Sequence, residues 1–319
     1  MGRLDVSPSA PRFRVSPSAF RAVALAAVWA LGLTIVSGAA VRLTGSGLGC
    51  PRWPDCTTTS VVAPLQFHAW VEFGNRLINA FVTIASIGAF GAALRRSPRR
   101  RDLTMLSAGL VVGLLAEVVM GALVVYSKLA PALVSVHFLL GMVLLALAVV
   151  LHHRASLADG VGAPRLLVDR FQTILARAVL VLVGVVVALG TVVTSTGPHG
   201  GAPGTPRFHF SLHSVAQLHG SAAEALMLTT LALLVSLARK GAPRPVLRRA
   251  QLMLATMAAQ AAVGYTQYLN GDPVALVAVH VAGASLVVIA VLRFYFGLWE
   301  HPAPVVAGAP AVSAVGAPV

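Results

Sequence analysis

Long apolar runs separated by short polar or basic connections dominate the chain. Eight runs stand out, at about 20–41, 68–94, 103–126, 132–153, 172–194, 212–237, 250–268 and 274–298. Each is close to the ~20 residues that carry an α-helix across a hydrocarbon core of roughly 30 Å, so the pattern predicts eight membrane-spanning helices. The second and sixth open on polar residues and are the least sharply marked. The first has no small-residue cleavage site and runs on into "VRLTGSGLGC", which reads as a retained helix and not a signal peptide. Residues 1–19 and 299–319 are rich in Pro, Ala and Ser, with no pattern that buries a core, and are expected to be disordered.

The runs repeat. "ALVSVH" (132–137) returns as "ALVAVH" (275–280), and the same shift brings Gly121 onto Gly264, Glu117 onto Gln260 and His137 onto His280. "GAAVRLTG" (38–45) and "GTVVTSTG" (190–197) share the pattern G-x-x-V-x-x-T-G. Spans one to four and five to eight therefore read as two copies of one unit. An even number of spans per copy gives both the same orientation, a parallel repeat about an axis along the membrane normal. The expected fold is an all-α integral membrane protein of two tandem, pseudo-symmetric four-helix bundles. They occupy 20–153 and 172–298, with a cytoplasmic linker at 154–171.

Composition agrees: 57% of the 319 residues are hydrophobic and only 11% charged, against about 25% charged in soluble domains. The net charge of +14 would suit a nucleic-acid partner, but its placement gives it another meaning. Arg95, Arg96, Arg99, Arg100 and Arg101 follow the second span, Arg154, Arg165 and Arg170 the fourth, and Arg239, Lys240, Arg244, Arg248 and Arg249 the sixth. Arg3, Arg12, Arg14 and Arg21 precede the first, while the alternate connections hold only Arg42, Arg52, Lys128 and Arg207. This positive-inside asymmetry predicts a multi-pass protein of the cell membrane with both termini cytoplasmic, and no nucleic-acid partner.

Ionisable side chains inside a membrane are costly and mark functional sites. His219 on the sixth span and His280 on the eighth lie at similar depth. Two neutral imidazoles on facing helices suit axial ligation of a haem iron, and nothing supplies the further ligands that zinc would need. In the first half His137 stands alone, because the slot matching His219 holds Asn75, a poor iron ligand. A haem there would have one protein ligand and an open face, tolerable where the macrocycle is a substrate that enters and leaves. His68, two turns before Asn75, reads as an interfacial residue.

Other groups keep two readings each. Cys50 and Cys56, the only cysteines, share the outer loop "CPRWPDC" and suit either a structural disulfide or a redox-active pair. Glu72 and Arg76 are four apart, either an ion pair seating the helix or an acid poised toward a ligand. Glu117, Gln260 and Glu224 suit interhelical hydrogen bonding or a polar relay.

The stretch "VSGAAVRLTGSGLGCPRWPDC", then "VEFGNR", "TSTGPHGG" and a late "VH" helix, resembles the haem A synthase family through all eight spans. The resemblance implies an integral membrane haem-dependent oxidoreductase that converts the C8 methyl of haem O to a formyl group, yielding haem A for cytochrome oxidase assembly. It implies haem b, with its iron between His219 and His280, and haem O as substrate at a site with His137, Asn75 and Arg76. It gives Glu72 a catalytic role and maps the family's loop pair onto Cys50 and Cys56. Membrane lipid, haem O synthase and a redox donor or acceptor are the partners it suggests, and a homo-oligomer is compatible with it. Two departures stand out. The second-span motif usually ends His-Arg, and here it is Asn75-Arg76; the second-half loop has no cysteines. His199, His209 and His213 read as solvent-facing, His152 and His153 as interfacial. The alternatives are a non-catalytic bis-haem b-type electron-transfer protein, which predicts two tight ligand pairs, and a transporter.

Overall fold

The structure, a computed structural model, describes residues 14–302. The remainder of the two ends expected to be disordered, 1–13 and 303–319, lies outside the described residues. Eight long helices follow one another: α1 (Pro17–Leu43), α2 (Phe67–Arg95), α3 (Arg101–Tyr126), α4 (Pro131–Ser156), α5 (Arg170–Thr196), α6 (Leu212–Arg239), α7 (Arg244–Leu269) and α8 (Val274–Phe296). Seven are long and apolar enough to cross a membrane. The helix that falls short is α7, not the polar-opening second or sixth span: its first turns carry Arg244, Arg248 and Arg249, and glutamines recur along it.

Local chemistry sets the boundaries. The Ser16 hydroxyl accepts from the Ala19 N–H with Pro17 next in line, Asp169 and Gln172 form a reciprocal capping box at α5, and Ser211 caps α6. Gly241 and Gly271 take left-handed φ values of 67° and 75° just past the ends of α6 and α7, the conformation glycine adopts without strain at a helix C-terminus.

The helices α1 and α3 both pack on α2 and α4, and α6 and α8 both pack on α5 and α7; α1, α4 and α5 make further contacts, α8 touching α1 and α4, and α5 touching α4. The tightest packing lies toward the face where α1 begins and α8 ends, here the terminal face. Phe20 of α1, Leu103 of α3, Leu151 of α4, Leu237 of α6, Val246 of α7 and Phe294 of α8 are all fully buried there.

The terminal face is more ordered than its composition suggests. Val15, within a stretch expected to be disordered, bonds the Arg95 carbonyl and accepts from the Ser97 N–H, each at 3.0 Å. The segment 154–171, read as a linker, stays helical to Ser156. It then forms strand β1 (Arg165–Leu166), antiparallel to β2 (Trp299–Glu300), so part of the tail is also structured. Arg96 pairs with Asp159 at 2.9 Å and Lys240 with Asp169, tying these connections to the helix ends. Proline- and alanine-rich composition did not reveal this, because backbone pairing and ion pairs hold the segments, not a buried apolar face.

Candidate functional site

The α6 residue His219 and the α8 residue His280 face one another with ring centroids 6.3 Å apart and planes 71° from parallel. His219 fits against α5 at Gly190, where a Cβ would stand 3.2 Å from its Cε1. One turn earlier the Val186 carbonyl lies 3.1 Å from His219 Nδ1. With Nδ1–H donating to that carbonyl, Nε2 is left as a ligand atom. His280 fits against Gly264 of α7, and its Nδ1 is buried with no hydrogen-bond partner. Two imidazole–metal bonds of about 2 Å each, plus the ring radii, put the centroids of opposed axial ligands roughly 6 Å apart. The observed separation and the free Nε2 of His219 fit a haem iron between this pair.

The first half is built differently around its histidine. Nδ1 of His137, on α4, lies against Oε2 of Glu117, on α3. Gly121, one turn along α3, and Gly141, one turn along α4, leave room for the ring and the carboxylate: a Cβ at either would come within 3.7 and 3.4 Å of them respectively. Asn75 of α2 is held by Ser37 of α1, whose hydroxyl lies 2.8 Å from Asn75 Oδ1. No such anchor exists for the equivalent His219, which uses the α5 carbonyl.

Glu72 is buried, 5% exposed, where α2 meets the outer loop. Its Oε2 accepts the Cys50 N–H at 2.8 Å, and its Oε1 pairs with Arg76 at 2.5 Å. Arg76 also donates to the carbonyls of Cys50 at 2.9 Å and Asp55 at 3.2 Å. Cys50 and Cys56 form a disulfide. The Glu72–Arg76 ion pair therefore clasps the cystine loop onto α2, and Arg76 is turned toward that loop. Gly49 is needed there, since any Cβ would collide with the His68 carbonyl. His68 itself bonds Ser46 at 2.9 Å, part of the same clasp.

The remaining candidates sort by contact. Gln260 donates from Nε2 to the His280 carbonyl at 2.8 Å, an interhelical bond that bypasses the ring. Glu224 accepts from the Tyr265 hydroxyl at 2.6 Å. His209 and His213 are exposed, whereas His199 is not solvent-facing as expected: it is half-buried and its Nε2 lies 2.7 Å from the Asp272 carbonyl. Its own carbonyl and that of Thr194 bind Arg42 at 2.7 and 2.8 Å, joining the two loop regions. His153 stacks on Phe296 at 4.6 Å near the terminal face. Among the described residues no group of three or more His, Cys, Asp or Glu could hold a bare metal ion.

Two pairings are not legible from the spacing of residues. Glu117 and His137 lie on different helices, although both are positions matched by the repeat. Ser37, the anchor of Asn75, is an isolated hydroxyl next to the repeated Gly38, with no motif of its own.

The profile of the family described as "Cytochrome oxidase assembly protein", COX15-CtaA, matches residues 62–292. The chain is 38% identical over 100 residues to the heme A synthase of Geobacillus thermodenitrificans, 30% of either chain. It is 30% identical over 129 residues to that of Lysinibacillus sphaericus, covering 40% of this chain and 41% of the relative. It is 27% identical over 178 residues to that of Shewanella oneidensis, covering 50% and 51%. The matched stretches thus span between about a third and a half of these relatives' lengths. With the profile covering most of the chain and seven apolar helices around the histidines, this is a multi-pass membrane protein that belongs to the COX15-CtaA cytochrome oxidase assembly family.

Proposed function

We propose that the chain is a haem A synthase, oxidising the C8 methyl of haem O to a formyl group, with haem b as resident cofactor in the second half and haem O as substrate in the first. The observation that carries the reading is the unequal pair of histidine sites: two facing rings 6.3 Å apart in one half, and a lone His137 opposite an amide-bearing helix in the other. A pure electron-transfer protein has no use for a half-equipped site; an enzyme that must admit and release a macrocycle does.

The tandem arrangement supports this division. Residues related by the repeat touch each other between the halves. Ser285 Oγ lies 3.9 Å from Met142 Sδ, 143 positions away, the same offset that relates His137 to His280. Arg42 bonds the Thr194 carbonyl, its counterpart in the G-x-x-V-x-x-T-G motif. Self-contacts of this kind are what a pseudo-two-fold axis between the halves would produce, and they support the repeat reading. The charge asymmetry of the connections supports a cytoplasmic terminal face, with both termini on that side.

His219 and His280 would hold haem b, which when bound would supply one-electron chemistry. The chain's own residues do the rest. His137 would ligate the substrate iron from α4, leaving the α2 side to Asn75. Glu72, one turn from Asn75, would place negative charge at the edge of the substrate nearest the outer loop, where it stabilises positive charge developing at the methyl carbon or guides water to it. Its carboxylate is already oriented by Arg76 and the Cys50 N–H, which couples that position to the cystine loop. Glu117 and Gln260 would serve as polar contacts at matching depth in the two halves.

The test is expression in a host that makes haem O but no haem A, followed by haem extraction and chromatography. Haem A or its hydroxylated precursor is the expected product. A folded, red protein that yields only haem b and unchanged haem O would overturn the assignment, provided the host's redox partners support a known synthase in parallel.

A further inference from the structure

Resting on the substrate-haem reading above, we propose that Glu117 is a positioning residue for the first-half iron ligand. Its carboxylate accepts the Nδ1–H of His137, fixes the ring with Nε2 toward the iron, and makes His137 a stronger donor than either histidine of the second half.

Glu117 is an acid within a membrane-spanning helix, and its side chain is 12% exposed. Such a group costs several kcal/mol in hydrocarbon. Its one close polar neighbour is His137 Nδ1, which lies against Oε2, and neither carboxylate oxygen nor that ring nitrogen has any other polar partner among the described residues, so the two buried groups are left to satisfy each other. A plain helix–helix hydrogen bond would not need an acid. Gln260, at the matching position, makes such a bond, donating to the His280 carbonyl and leaving the ring untouched. The repeat therefore keeps an amide where only the helices are joined and a carboxylate where the ring itself is met. The three histidines form a series: His137 faces a carboxylate, His219 a main-chain carbonyl, and the buried Nδ1 of His280 has no acceptor. A carboxylate on the far nitrogen of a metal-bound imidazole orients the ring and raises its basicity. Opposite an Asn75 face that supplies no strong ligand, the iron–histidine bond would set how tightly the substrate haem is held and how readily its iron is reduced.

The measurement is resonance Raman of the anaerobic, ferrous protein loaded with haem O in the host described above. Only a five-coordinate haem with one histidine gives an iron–histidine stretch, so the bis-histidine half is silent. The wild-type band should lie above that of a carbonyl-bonded histidine. Glu117→Gln should lower its frequency, speed haem O loss about tenfold, and leave the low-spin spectrum of the second half unchanged; Glu117→Asp should recover part of the shift. Gln260→Glu should leave the band where it is. A wild-type band at the carbonyl-bonded frequency, or an unchanged band and haem O retention in folded Glu117→Gln, would overturn the proposal. If His137→Ala keeps the wild-type band, the substrate-haem reading itself fails, a separate result.

Discussion

The two halves place a histidine at the same point of the repeat and then diverge around it. His280 meets a second ring, His219, and lies tight against Gly264, where a Cβ would stand 2.9 Å from its Cε1. His137 meets Glu117 and lies against Gly121, where a Cβ would stand 3.7 Å from its Cε1; the position matching His219 holds Asn75, which bonds Ser37. One half sets two rings face to face; the other sets one ring against a carboxylate. The cystine loop sits on the His137 half alone, bolted to α2 by Glu72 and Arg76. The second-half loop has no cysteines and is held through Arg42 and Arg207 contacts to main-chain carbonyls. A resident cofactor needs two equal ligands and no exit; a substrate needs one ligand and a defined mouth.

The sharpest way to break the comparison is to remove one of the facing rings. His219→Ala or His280→Ala should abolish the low-spin haem b spectrum of the purified protein, while His137→Ala leaves it intact. Equal loss from all three variants would mean that the halves do not bind separately. Next comes Asn75→His, which gives the first half the ligand types of the second. The substrate haem should become low-spin and cease to bind carbon monoxide, which a spectrum of the reduced protein with and without the gas reads directly. Smaller is the cystine loop: Cys50→Ser with Cys56→Ser should cost roughly 2 kcal/mol of stability by the loop-closure estimate, read as a lower Tm with haem b content unchanged. Smallest, and most diagnostic of packing, is the glycine pair. Gly264→Ala should cost about 1–3 kcal/mol through overpacking against His280 and weaken haem b retention, whereas Gly121→Ala should be close to neutral in the same melts.

Much of this was legible in the sequence, for reasons that also mark where legibility stops. Helix positions could be read within a few residues because an apolar run must match the bilayer and its ends are charged or glycine-rich. The repeat and its histidines could be read because they survive as near-identical hexapeptides. Helix faces could not. In lipid the outside of a bundle is as apolar as its inside: Trp29 and Phe81 are each 70% exposed, while Phe20 is fully buried, and nothing in hydropathy separates them. Hence the meeting of Glu117 with His137, or of Ser37 with Asn75, appears only once α3 packs on α4 and α1 on α2. The same limit hid the order of residues 14–16 and 299–302, held by two short backbone pairings that leave no compositional trace.

If one chain carries two unlike haem sites, they must differ in how they bind an added ligand. Protein purified from the haem O-making host would be reduced without oxygen, titrated with carbon monoxide, and assayed for total haem per chain. The account predicts two haems per chain, one low-spin and inert to carbon monoxide, the other binding it in a His137-dependent manner. Two low-spin haems, both inert, would contradict it and return the protein to the bis-haem electron-transfer reading.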